Sequence, residues 1–251
     1  MNSGHHDGRS DLQISQDETL LYLVRHAETA WNVERRFQGQ FDVQLNSMGE
    51  EQAEQVANWI ASQPVRFTAI YSSDLHRARA TVRPISARLR IEPSYSAELR
   101  ELNCGEWQGL TVEKVEEKYP GELQRWREDI CGYTLPGGES IPDVQRRING
   151  YLDDTIKAHR GEAIIVVSHG AALSAYIAAT NVWDLQETWD TRRARMSNTG
   201  VTAIAISHTS LTHRMLFFNS IEHLPGHTDL PSVIDPLSTG RTGKAAAEFA
   251  V

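Results

Sequence analysis

The residues best suited to chemistry stand where two apolar runs stop. Leu20-Leu-Tyr-Leu-Val24 is followed at once by Arg25 and His26, and Ala163-Ile-Ile-Val-Val167 by Ser168, His169 and Gly170. Such short apolar runs read as buried parallel strands. Ligands of open α/β sheets bind at the carboxyl edge of their strands. Here each strand delivers a histidine to that edge, the first with an arginine beside it. A guanidinium fork matches an oxyanion bidentately. A neutral imidazole is a nucleophile when its second nitrogen is held by a hydrogen bond. The helix that opens at Gly170 adds free backbone N–H groups and a favourable dipole. The pattern describes an anion site with a reactive imidazole.

The elements that must position these residues alternate in type. Residues 20–24, 69–71, 164–167, 201–206 and 215–218 read as strands. Ser47 and Glu50 have capping-box spacing and predict a helix with Ala53, Val56, Ala57 and Ile60 on one face. Ser73 or Asp74 caps a helix running through Arg88, with Arg77 in its first turn. Ser140 opens another, with Val144, Ile148, Leu152 and Ile156 at helical spacing. This alternation predicts an α/β fold with a mostly parallel sheet and helices on both faces.

Bulk properties narrow the function classes. At 251 residues with 40% hydrophobic content the chain suits one main domain. No apolar run is long enough to span a membrane and no apolar leader opens the chain, which points to a cytoplasmic protein. Two cysteines, Cys104 and Cys131, make neither a disulfide framework nor a metal motif. A net charge of −8 argues against nucleic acid and anionic membrane as partners. Residues 1–18 read as a polar N-terminal tail, residues 19–224 as the globular domain and residues 225–251 as a flexible C-terminal tail. The sequence leaves the oligomeric state open, a homodimer included.

An ordered set of motifs carries a family resemblance. Arg25-His26-Ala-Glu-Thr29, Trp31-Asn32, Gln38-Gly39, Leu45-Asn-Ser-Met-Gly49, Ser72-Ser-Asp-Leu-His-Arg77 and Ser168-His169-Gly170 resemble the histidine phosphatase (phosphoglycerate mutase-like) superfamily. The likeness runs from about residue 20 to about residue 224. It implies a three-layer sandwich, with residues 102–139 and 179–197 as insertions over the active-site edge. No cluster of metal-ligating residues appears in the sequence, so catalysis without metal or cofactor is expected. His26 takes the role of the phosphorylated nucleophile. Arg25, Asn32, Gln38, Arg77 and His169 become contacts to the phosphoryl group. The stretch Leu99-Arg-Glu101 before Gly105-Glu-Trp-Gln-Gly109 puts Glu101 in the place of the general acid, with Glu98 and Glu106 as competitors by residue type. Ala27 departs from the family's usual glycine.

Phosphoryl transfer needs an in-line nucleophile and positive charge around the equatorial oxygens, which this set supplies. A carboxylic acid that donates near neutral pH needs burial or neighbouring negative charge. The expected function is hydrolysis of small phosphate monoesters, because the stretch between Gly109 and Pro136 is shorter than the mutase insertion. The alternatives are mutase-type phosphoryl transfer and a non-catalytic phosphate-binding regulatory module. Trp107, Tyr119, Trp126 and Tyr133 either stack on a substrate ring or pack the insertion. The tract Thr191-Arg-Arg-Ala-Arg195 is either a solvated helix end or a cationic rim.

Overall fold

The computed structural model describes residues 14–226, and the structural statements below concern them. The expected tails fall outside them at residues 1–13 and 227–251. Ile14 packs on the core and Asp17 accepts bonds from Ser207 and Thr209, so the packed unit begins before residue 19.

Six strands form one sheet: β1 (Glu18–Arg25), β2 (Phe67–Ser73), β3 (Pro93–Ser96), β4 (Ala163–Ser168), β5 (Val201–Ser207) and β6 (His213–Ser220). Their order is β3-β2-β4-β1-β5-β6. The pairings among β3, β2, β4 and β1 are parallel, whereas β1–β5 and β5–β6 are antiparallel. The link from β5 to β6 is too short for a crossover, so that pair must be antiparallel. The expected mostly parallel sheet is present, with an antiparallel flank.

Alternate residues of the central strands feed two cores, which is why their apolar runs are unbroken. Leu20, Tyr22 and Val24 pack against α2 (Ser47–Ala61) and α3 (His76–Leu89) through Val56, Ile60, Val82 and Ile85. Leu21 and Leu23 share the opposite core with Ile148 and Leu152 of α6 (Ile141–Lys157) and Ile177 of α7 (Gly170–Thr180). Fully burying one such side chain contributes about 1.5–3 kcal/mol, so the helices are held on both faces largely by these contacts.

Two expected helix starts are corrected. The N-cap of α2 is Asn46, whose side chain accepts from Gly49 N–H at 2.7 Å, not Ser47. Asn46 already has extended φ and ψ, whereas Ser47 is inside the first turn. The N-cap of α3 is Leu75, without a side-chain cap. Ser73 has another partner and Asp74 is engaged by Arg100 at 2.6 and 2.7 Å. Ser140 caps α6 as predicted, in a capping box with Asp143.

The first insertion contains α4 (Val112–Lys118) and α5 (Glu122–Glu128), seated on the α6–α7 core through Val115, Leu123 and Trp126. Gly105 has φ +49° and touches the Pro136 carbonyl so closely that a Cβ would lie 2.0 Å from it, which fixes the insertion's two ends together. The second insertion contains α8 (Leu185–Thr191) and returns to the sheet edge at Met196. A short α1 (Ala30–Val33) follows β1.

Candidate active site

Register explains how two distant histidines meet. In the parallel pair β1–β4, Arg25 stands opposite Ser168. His26 and His169 each lie one residue beyond, and their ring centroids are 5.1 Å apart. Strand β2 ends level with them, where Ser73 Oγ lies 2.7 Å from His169 Nε2. The first turn of α3 then brings in Arg77. Three parallel strands thus deliver their carboxyl ends to one place.

His26 is buried and its Nδ1 lies 2.7 Å from the Ala27 carbonyl. A carbonyl only accepts, so Nδ1 carries the hydrogen and Nε2 is left with its lone pair. Burial, then Arg77 and Arg25, hold the His26 pKa well below the ordinary 6.5. This imidazole is neutral at physiological pH. His169 is fully buried and likewise shifted down, by burial first and then by Arg77, His26 and Arg25. Its Nδ1 is buried without a protein partner.

Arg25 donates from Nη1 to the Met196 carbonyl at 2.7 Å. Arg77 is fully buried and clamps the loop beyond α1, donating to the Gly39 and Phe41 carbonyls at 2.7 and 2.8 Å. Burial lowers its pKa to about 10, opposed by the Glu101 charge, so it stays cationic. Gly39 has φ +52°, and a Cβ there would meet the Gln108 side chain at 2.3 Å. Glycine is therefore required where the loop presents its carbonyl to Arg77.

Asn32 is buried, and its Oδ1 accepts from the Thr29 N–H and hydroxyl at 3.0 and 3.1 Å. With the oxygen used internally, its amide nitrogen is the group left to act as donor. Gln38 is nearly buried, with Oε1 lacking a protein partner. The residues Arg25, His26, Asn32, Gln38, Arg77 and Glu101 line one cleft together with Gly39 and Arg36. His169 sits directly behind it against His26. All seven residues singled out in the sequence meet here.

Glu101 departs from expectation in one respect. Its carboxylate accepts from Leu102 N–H at 2.9 Å and from Ala171 and Ala172 N–H at 3.1 Å. Two of these donors open α7 and the third belongs to the adjacent loop; such N–H donors favour the ionised form. The competitors stand elsewhere: Glu98 is exposed and Glu106 accepts from Tyr119.

Several contributors were not singled out as site residues in the sequence. Ser73 positions His169. Asn198 donates to the His26 carbonyl at 2.9 Å and lies 3.4 Å from Asn32 Oδ1. Its neighbour Thr199 is β-branched yet has φ +55°, strain of the kind found at functional sites. Arg36 adds a third guanidinium to the cleft wall. Trp107 and Trp126 are fully buried against each other with centroids 6.1 Å apart, so they pack the insertion. Tyr133 and Tyr119 donate to Glu122 and Glu106. Among the described residues no group of three or more His, Cys, Asp or Glu could hold a metal, and no helix is long and apolar enough to cross a membrane.

Comparison with known proteins agrees with this geometry. The chain is 36% identical over 169 residues to phosphoserine phosphatase 1 of Hydrogenobacter thermophilus, covering 67% of this chain and 79% of the relative. It is 35% identical over 188 residues to a probable phosphoglycerate mutase, GpmB, of Shigella dysenteriae, covering 73% and 83%. A mycobacterial glucosyl-3-phosphoglycerate phosphatase solved with VO3 superposes with a TM-score of 0.71 at 30% identity, covering 80% and 98%. The model of the histidine phosphatase superfamily (branch 1) matches residues 21–218, nearly the whole of the sheet and its helices, and the chain belongs to that superfamily.

Proposed function

We propose that this protein hydrolyses small phosphate monoesters through a phosphohistidine on His26, with Glu101 as general acid and then general base. The observation that carries the reading is the fixed tautomer of His26: Nδ1 is tied to the Ala27 carbonyl and Nε2 is left for attack in a cleft with Arg25 and Arg77. In the first step Nε2 attacks phosphorus as the ester P–O bond breaks. Arg25, Arg77 and the Asn32 amide neutralise the equatorial oxygens. The departing oxygen takes a proton from the Glu101 carboxyl group. In the second step the Glu101 carboxylate takes a proton from water. The resulting oxygen attacks phosphorus, the P–N bond breaks and neutral His26 is restored.

The hydrogen bonds of Glu101 give this cycle its trigger. An incoming phosphoryl dianion competes for the donors of α7 that the carboxylate holds. A carboxylate displaced from the two α7 N–H groups and set beside a dianion gains proton affinity, by loss of donors and by like charge. The acid is thus armed by the substrate.

Hydrolysis is favoured over mutase chemistry because the first insertion is consumed in packing onto the α6–α7 core. The cleft also reaches solvent beside Arg36, whose side chain is 28% exposed. Water can then reach the intermediate. A panel of phosphate esters, with and without a chelator, tests the reading. It includes 3-phosphoglycerate with and without a bisphosphate primer. Release of inorganic phosphate that survives chelation is expected. Primer-dependent isomerisation without phosphate release would instead establish the mutase alternative.

A further inference from the structure

A second pocket lies between α7 and α8, lined by Arg25, Ser174, Trp189, Arg192, Arg195 and Met196 among others. It shares Arg25 as a wall with the cleft that holds His26. Ala171, whose N–H holds the Glu101 carboxylate, also lines it. Three arginines and no carboxylate line it, in a chain of net charge −8. Against the unfavourable field of the whole molecule, this is a local cationic surface with an apolar floor of Ala171, Trp189, Ala194 and Met196.

The tract 191–195 is built so that only some of its arginines face this space. Arg193 stacks on the Trp183 ring at 4.4 Å and lies 3.5 Å from Glu187, away from the pocket. The backbone around it is pinned: the Ala194 carbonyl accepts from Ser174 at 2.9 Å and the Met196 carbonyl from Arg25 at 2.7 Å. Arg195 N–H donates to the Arg192 carbonyl at 3.0 Å, and this turn brings both residues to the pocket wall. Positive charge extends outward to Arg127 of α5. Its pKa is lowered by burial first, with Arg192 adding repulsion and Glu116 opposing.

We propose that this pocket is a specificity subsite that uses Arg192 and Arg195 to bind a second anionic group, carboxylate or phosphate, on a short carbon chain attached to the transferred phosphoryl group. The inference rests on the phosphoryl site proposed above, because the shared wall at Arg25 is what lets one small ligand reach both.

Titration calorimetry at fixed ionic strength tests it with three non-hydrolysable probes. Propylphosphonate reports the phosphoryl site with a neutral chain, 3-phosphonopropionate adds a carboxylate, and ethane-1,2-bisphosphonate adds a second phosphoryl group. At least one of the two probes with an anionic tail should bind about tenfold more tightly than propylphosphonate. The tail that gains identifies the anion the pocket prefers. Arg192→Gln and Arg195→Gln should each remove most of that gain while changing propylphosphonate affinity by no more than about twofold. Equal binding of all three probes to the wild type overturns the subsite, without recourse to any variant. Variants that weaken propylphosphonate as much as the charged probes overturn it too. If propylphosphonate itself fails to bind, the phosphoryl site is at fault and the subsite falls with it.

Discussion

Glu101 is asked to do two things that pull against each other. Three backbone donors stabilise its charge, yet the proposed first step needs it protonated. If it protonates the leaving oxygen, Glu101→Gln should lose about 10²–10⁴-fold on an alkyl phosphate, whose alkoxide needs the proton. The loss on p-nitrophenyl phosphate should be much smaller, measured at the phosphorylation step. Equal losses on both would make Glu101 a positioning residue. Arg77 makes a different demand, since its fork spans two carbonyls and also faces the cleft. Arg77→Lys keeps the charge and loses the fork. It should lower kcat/KM by about 10²-fold, in line with roughly 2–5 kcal/mol for breaking a buried charged contact, and should also weaken vanadate inhibition. Unchanged vanadate affinity would remove Arg77 from the pocket. Arg25, His26 and His169 were legible because a buried strand that ends in a charged or titratable residue is unusual. Ser73 and Asn198 were not, because a short polar residue at a strand end or turn looks the same whether or not it holds a histidine 96 or 172 positions away.

The elements show the same division between local and non-local information. Strands β1 and β4 were readable because burial on both faces leaves an unbroken apolar run, and α6 because its capping box and spacing agree. Strand β3, Pro93-Ser-Tyr-Ser, has no apolar run; it is an edge strand defined by pairing with β2, and an edge tolerates its proline. The start of α2 was misread by one residue because Asn46 and Ser47 are both good caps and only φ and ψ decide between them. This start matters beyond α2. Asn46 also donates to Glu28 at 2.8 Å and bonds the Glu28 carbonyl through its N–H, which steadies the loop after His26. Asn46→Ala should cost about 1 kcal/mol in a denaturant titration, and Ser47→Ala less than about half of that. The reverse order would return the cap to Ser47.

At the scale of the whole molecule, buried neutral histidines set the response to acid. His26 and His169 are held well below 6.5, and burial pushes His223 down to about 4. The unfolded chain takes up these protons near pH 6.5 and the folded one resists, so the unfolded state binds more protons as pH falls. Stability is therefore fully present above about pH 6.5 and declines as pH drops from there through about 4, and further for His26 and His169. The denaturation midpoint should fall over that window. Bound inorganic phosphate should soften the fall, because an anion beside His169 makes its protonation easier. A midpoint unchanged between pH 7 and 4 would mean that these histidines are solvated rather than buried. The covalent step tests the molecule most directly. Rapid quenching of the enzyme with a radioactive phosphoester should trap label that is acid-labile and base-stable, mapping to His26 and absent from His26→Ala. Label on another residue, or near-wild-type turnover by His26→Ala, would contradict a phosphohistidine at His26.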